Sequence, residues 1–211
     1  MSGKFFGKHR GTVMSNLDPM HLGRLLVIVP EVMGLPPLAN WAMPCVPYAG
    51  PQVGFVAIPP IGAKVWIEFE DGNPAYPIWT GCFWGELEMP AEAILPSTVL
   101  FKTNFTTLKI DDLTTSLEIT VLTPAGPMLV RVDPTGIRLT NVTASVSISP
   151  ESIELRNAAA SIDVKPAEVS IDMPPARVSI TPASISLQLG AASVNLTPVE
   201  VDINNGALEV M

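Results

Sequence analysis

The second half of the chain carries a repeated alternation of apolar and polar residues. From residue 130 onward, apolar residues occur in pairs two positions apart, and the starts of successive pairs advance by seven and nine residues in turn. Prolines recur every sixteen residues, and they are Pro134, Pro150, Pro166, Pro182 and Pro198. A spacing of two is typical of β-strands and excludes helices. The pattern therefore predicts a sixteen-residue unit of two short strands joined by two tight corners, with proline at a corner.

The apolar pairs are the predicted core of this repeat. The residues beside them are mostly Ser, Thr, Asn, Asp, Glu or Arg, so each strand has one apolar and one polar face. Two or three apolar side chains bury too little surface for a strand to stand alone, and stacking solves this. We expect three copies to surround one axis, each forming one side of a triangular prism. The predicted trimer core consists of Val146, Ile148, Ile153, Leu155, Ile162, Val164, Val169, Ile171, Val178, Ile180, Ile185, Leu187, Val194, Leu196, Val201 and Ile203.

The first half contains short β-rich runs separated by Gly, Pro, Asn and Asp. In the run AKVWIEFE, the residues Val65, Ile67 and Phe69 alternate with mostly polar ones, so one face of this strand is packed. Asp71-Gly72 follows as a turn, because glycine accepts positive φ. Five or six such runs between residues 11 and 85, without helical periodicity, predict a small β-barrel.

Composition changes along the chain and excludes some functions. Every Trp, Tyr and Phe lies at or before Phe105, so the second half must build its core from aliphatic residues. The net charge is −8 without a cluster of Lys or Arg, which argues against nucleic-acid binding. Cys45 and Cys82 are too few for a disulfide scaffold. The N-terminal residues show no signal-peptide pattern, so we expect synthesis in the cytoplasm.

Several separated motifs of the first half occur in the order and spacing of a known family. They are Asp18-Pro19, Leu22-Gly23-Arg24, Trp41, Tyr48-Ala49-Gly50, Phe69-Glu70-Asp71-Gly72-Asn73-Pro74 and Pro77-Ile78-Trp79. Over roughly residues 5–88 the chain resembles the oligonucleotide-binding-type (OB) domain of baseplate assembly protein V and of related spikes of phage tails, extracellular contractile injection systems and type VI secretion. The resemblance implies an all-β protein with an N-terminal OB-fold barrel followed by a C-terminal trimeric intertwined β-helix, shaped as a triangular prism.

The resemblance also implies how the chain is divided and what it does. The expected parts are an N-terminal arm at 1–10, the OB domain at 11–90, a linker at 91–106 and a β-helical needle at 107–211. The implied function is that of a structural spike in a baseplate, which docks on a hub protein through the OB domain. On firing, the needle pierces the target envelope and meets its membrane transiently. A separate PAAR-type protein is expected to cap the C-terminal end, and the candidate contacts are Leu208, Val210 and Met211.

The sequence predicts no catalytic, cofactor-binding or metal-binding residue. Glycoside hydrolysis needs two carboxylates in a cleft, whereas Asp111, Asp112, Asp133 and Glu154 fall among the strands and corners of the repeat. A nucleophile elbow, a phosphate-binding loop and zinc-type Cys/His spacing are also missing from the sequence. Two other functions remain open at this point. One is a trimeric tail fibre or adhesin that binds a receptor, and the other is a spike-associated enzyme that cleaves polysaccharide.

Overall fold

The structure is a computed structural model that describes residues 3–34 and 38–210. The chain is all-β apart from a short helix and two 3-10 turns among these residues. It divides into two compact units, residues 1–89 and 90–211. The strands of the first unit form a barrel and a small hairpin, and those of the second form a single sheet.

The first unit is built around a closed barrel of five strands. Its elements are β1 (His9–Ser15), β2 (Leu25–Ile28), α1 (Pro30–Met33), β3 (Ala39–Pro44), β4 (Ala49–Gly50), β5 (Val53–Gly54), β6 (Lys64–Phe69), a 3-10 turn (Glu70–Gly72) and β7 (Pro77–Phe83). The order around the barrel is β1, β2, β3, β7, β6. The neighbours are antiparallel except β3 and β7, which are parallel. The β4–β5 hairpin is inserted between two barrel strands.

One face of each barrel strand forms the core. In β6, Val65 and Ile67 are fully buried and Phe69 is nearly so, whereas the residues between them are partly exposed. Val13 and Leu25 from the neighbouring strands are also fully buried and belong to the same cluster. The packed face predicted from the alternation in AKVWIEFE is therefore confirmed.

Several of the motif residues fix the loop between β1 and β2. The Asp18 carboxylate accepts hydrogen bonds from the backbone N–H groups of Met20, Leu22 and Arg24, at 3.0, 2.8 and 3.2 Å. It also accepts one from the Arg24 guanidinium at 2.7 Å, which is the main reason why the pKa of Asp18 lies well below its usual range. The guanidinium lies 5.2 Å from the centre of the Trp41 ring. These residues therefore stabilise the barrel and its loop.

The second unit is a single antiparallel sheet of fourteen strands. After a 3-10 turn (Ala91–Ala93), its strands are β8 (Thr98–Lys102), β9 (Thr106–Asp111), β10 (Ser116–Thr123), β11 (Gly126–Asp133), β12 (Gly136–Thr140), β13 (Ala144–Ile148), β14 (Ile153–Asn157), β15 (Ala160–Lys165), β16 (Glu168–Met173), β17 (Ala176–Ile180), β18 (Ile185–Leu189), β19 (Ala192–Leu196), β20 (Val201–Ile203) and β21 (Leu208–Val210). Each strand pairs with the strands before and after it in the chain, so the spatial order follows the sequence. From β12 onward, each sixteen-residue repeat supplies two strands.

The proline corners are stabilised by the residue that precedes the proline. The Thr181 hydroxyl accepts hydrogen bonds from the backbone N–H groups of Ala183 and Ser184, at 3.3 and 3.0 Å. Ser149 and Thr197 make the same pair of contacts at two other corners. Proline has no N–H to donate, so its place outside the ladder leaves the strand pairing intact. The same turn chemistry therefore occurs at the Pro150, Pro182 and Pro198 corners, whereas Asp133 and Lys165 precede the prolines of the other two corners.

This sheet bears on two expectations from the sequence. The strands from β9 to β20 pair on both edges with strands of the same chain, because the connections between them are short. The single chain forms this ladder by itself, and the expected intertwined helix of three copies stays a prediction. The expected linker at 91–106 contains β8, because Val99 and Phe101 continue the apolar spacing of two. Copies of the sheet can consequently meet through their side chains or at the two edge strands.

Candidate assembly interfaces

One face of the sheet carries two unbroken columns of apolar side chains. Residues directly opposite each other in an antiparallel pair share a face, so a column can be followed from strand to strand. The first column consists of Val99, Ile110, Leu117, Val132, Ile137, Ile148, Ile153, Val164, Val169, Ile180, Ile185, Leu196 and Val201. The second column consists of Phe101, Leu108, Ile119, Val130, Leu139, Val146, Leu155, Ile162, Ile171, Val178, Leu187, Val194, Ile203 and Leu208.

This apolar face is open to water in the single chain. Leu155, Ile162 and Ile171 are 42%, 39% and 48% exposed, whereas Asp163 and Ser170 on the opposite face are 7% and 5% exposed. Fourteen strands about 4.8 Å apart make the face about 60 Å long, and two columns of about 7 Å each make it about 14 Å wide. The resulting area of roughly 850 Å² exceeds the largest apolar patch of a typical monomer. The apolar face is therefore a candidate interface.

The residues predicted as a trimer core all lie in these two columns, although their contact with other copies stays a prediction. The continuation of the columns toward the N-terminus, from Val99 to Ile119, was not predicted from the sequence. The same spacing of two in residues 98–110 could have revealed it. Of the predicted tip residues, Leu208 extends the second column and Val210 pairs with Val201. Met211 lies outside the described residues.

The opposite face of the sheet carries a polar column, formed in each strand by the residue between the members of the two apolar columns. It consists of Lys109, Glu118, Arg131, Arg138, Ser147, Glu154, Asp163, Ser170, Ser179, Ser186, Asn195 and Asp202. Arg131, Arg156 and Arg177 on this face each contact two carboxylates of the same chain, at distances between 2.8 and 3.6 Å. These charges are paired within the chain and partly hydrated, so this face is suited to water.

Two carboxylates of the polar face have lowered pKa values. Hydrogen bonds from the hydroxyl and backbone N–H of Thr135 lower the pKa of Asp133 to about 2. Hydrogen bonds from the Ser179 hydroxyl and the Arg177 guanidinium lower the pKa of Glu168. Since the folded-state pKa lies below the unfolded value of about 4, the stabilisation is fully present above that value. It is lost as the pH falls toward the folded-state pKa.

Acidification should therefore destabilise the folded sheet. Between pH 6 and pH 2.5 we expect the melting temperature followed by circular dichroism to fall, because Asp133 and Glu168 become protonated more readily in the unfolded chain. In the variant Asp133→Asn the fall should be smaller, since one of these carboxylates no longer titrates. An equal or larger fall in the variant would show that Asp133 does not contribute to the pH dependence.

The barrel has a separate apolar groove. It lies between the loop of residues 16–23 and the β4–β5 hairpin, and its volume is about 740 Å³. Tyr48 and Phe55 line it and are 60% and 54% exposed. The indole N–H of Trp79 donates a hydrogen bond to the Gly23 carbonyl at 3.2 Å. This bond holds the end of the loop that forms one wall of the groove. This groove is the candidate docking surface of the barrel.

The first unit is a closed five-stranded barrel, and the second is a β-sheet whose strand order follows the sequence. These two features define the class of OB-type barrel proteins with a β-structured extension. Residues 9–84 match the family model of the type VI secretion system/phage-baseplate injector OB domain, about a third of the chain. Through its barrel the chain is similar to this family, and the resemblance seen in the motifs is confirmed. A search of curated proteins finds no match to this chain. In the described part of the chain, no helix has the length and apolar character needed to cross a membrane.

Proposed function

We propose that the chain is the subunit of a homotrimeric spike at the centre of the baseplate of a contractile injection machine. The observation that carries the proposal is the pair of apolar columns, which stay open along the whole sheet of the single chain. The family match of the barrel supports a place in a baseplate. The proposed role is structural, without catalysis, a cofactor or nucleic acid.

The length of the strands favours three copies around the axis. A strand of five residues, such as β14, is about 17 Å long. In a triangular prism with sides of this length, each sheet lies about 5 Å from the axis, which is half of the usual spacing of about 10 Å between packed sheets. A square prism of four copies would leave an unfilled centre, and two facing sheets would leave both long edges open. Three copies therefore fill the interior with the side chains that the columns provide.

The proposed shaft is suited to mechanical load. Fourteen strands would give it a length of about 60 Å, with the apolar columns facing the axis and the paired charges facing water. Separation of one copy would expose its whole apolar face at once, so the trimer should come apart slowly. Such resistance under load is a kinetic property, determined by the barrier to unfolding.

The two ends of the chain have different proposed partners. We assign the barrel groove at Tyr48 and Phe55 to contact with a hub protein, because an exposed apolar groove of this size is typical of binding surfaces. At the other end, β21 is an edge strand with a free edge and carries Leu208 of the second column. A PAAR-type tip protein that covers three such edges would protect them from non-specific pairing. The spike would be made in the cytoplasm and assembled into a phage tail-like particle.

The proposal is tested on particles that lack this chain. Electron microscopy should show no central shaft in such particles, and the wild-type chain supplied in trans should restore a shaft of about 60 Å. A shaft that persists without the chain would refute the proposal. Density at the periphery of the baseplate would instead support the fibre or adhesin, and release of sugar fragments from purified cell-wall glycan would support the enzyme.

A further inference from the structure

From β12 to β19, the apolar face has a third column of side chains. This column lies beside the second column, at one edge of the face. Here Ala144, Ala160, Ala176 and Ala192 alternate with larger side chains, and both sets recur every sixteen residues. The larger members are Asn141, Asn157, Met173 and Leu189. We call this set the alanine column. The opposite edge of the face is formed by the first column, whose members are Val, Ile or Leu.

This difference between the edges gives the face a ridge and a groove. Two depressions of about 750 and 350 Å³ follow the alanine edge of the sheet. The larger is lined by Ala144 and Ala160 together with residues of the second column, and the smaller is lined by Ala176 and Ala192 in the same way. The first column forms the opposite edge of the face with Val, Ile or Leu in every strand, and we call it the ridge.

We propose that the ridge of one copy packs into the alanine groove of the next copy around the shaft. This rests on the proposed trimer and states which residues meet at each of its three corners. The contact is heterologous, since two different edges of the face meet, and such contacts close into a ring when the rotation between copies is right. At each corner, Ile153 of one copy lies next to Asn157 of its neighbour in the same strand layer.

A second copy of this chain is the occupant that fits the groove. The apolar face of roughly 850 Å² matches the area of about 800 Å² that each partner contributes to a stable interface. The polar face of a copy cannot fill it, because Arg156 and Arg177 and their carboxylates would have to leave water. Alanine recurs in the groove with the sixteen-residue unit, and Ile or Val recurs in the ridge at the same spacing, at Ile153, Val169 and Ile185.

Cysteine cross-linking distinguishes this arrangement from any other trimer. In a background with Cys45→Ser and Cys82→Ser, both of which are free and exposed in the wild type, the variants Ile153→Cys, Asn157→Cys and the double variant are treated with a short bismaleimide. On a denaturing gel, the double variant should run as a covalent trimer and each single variant as a monomer. Co-expression of the two single variants should give covalent dimers and no covalent trimer.

The outcomes separate this inference from the function on which it rests. Covalent dimers from either single variant would mean that like edges meet, and would overturn the inference. A double variant that sediments as a trimer but forms no cross-link would overturn it as well. If the untreated wild-type chain sediments as a monomer, the proposed trimer itself fails. The variant Gln188→Cys on the polar face, paired with Ile153→Cys, should give no cross-link and serves as the control.

Discussion

Replacement of Leu187 by glutamate should abolish the trimer. Leu187 lies in the second column and is 44% exposed in the single chain, where the substitution itself is tolerable. In the trimer each copy would bury a carboxylate without a partner, which costs several kcal/mol per copy. We expect the concentration at which the trimer forms to rise at least about a hundredfold. Sedimentation velocity over a dilution series measures this change.

The neighbouring residue provides a matched control. Gln188 is adjacent in β18, points to the polar face and lies opposite Arg177, so Gln188→Glu introduces the same charge where it can be hydrated and paired. This variant should sediment and melt like the wild type. Particles supplied with Gln188→Glu should regain their central shaft, and particles supplied with Leu187→Glu should not. A stable Leu187→Glu trimer would mean that the apolar columns do not face one another.

Deletion of a whole repeat should do less damage than deletion of half of one. Removal of residues 167–182 joins Pro166 to Ala183, so that one proline corner replaces the next and every later strand keeps its direction. We expect a trimer whose shaft is about 10 Å shorter, since two strand layers are lost. Analytical ultracentrifugation and electron microscopy would show the mass and the length.

Removal of only residues 167–175 should disrupt assembly. This joins Pro166 to Ala176 and deletes one strand, so the later apolar residues stay on the same face, but every later strand runs in the opposite direction and Ala176 and Ala192 move to the edge of the first column. The ridge and the groove would then change sides halfway along the shaft, and copies could not pack along its whole length. We expect a melting temperature below that of the sixteen-residue deletion. If the two deletions prove equally stable, the edges of the face are equivalent and the ridge and groove have no role.

Much of the sheet could be predicted from the sequence. The apolar spacing of two fixed which residues share a face, because side chains alternate along any extended strand. The sixteen-residue period of proline placed the corners, and the structure has Thr181 and its equivalents capping them. The barrel was recognisable from separated motifs such as Asp18 with Arg24, whose contacts hold one loop together. These features are local, so neighbouring residues are enough to determine them.

The tertiary structure decided what local pattern cannot specify. A short strand can pair with its own neighbour or with another copy, and the apolar spacing is the same in both cases. The structure shows that the chain pairs with itself from β8 to β21 in one ladder. It also brings alanines that are sixteen residues apart in the sequence to one edge of the sheet. By itself, then, the sequence determined which residues share one face of the sheet, through strand periodicity. Register and pairing, which depend on contacts between strands, determined that they form two continuous columns with a ridge on one side and a groove on the other.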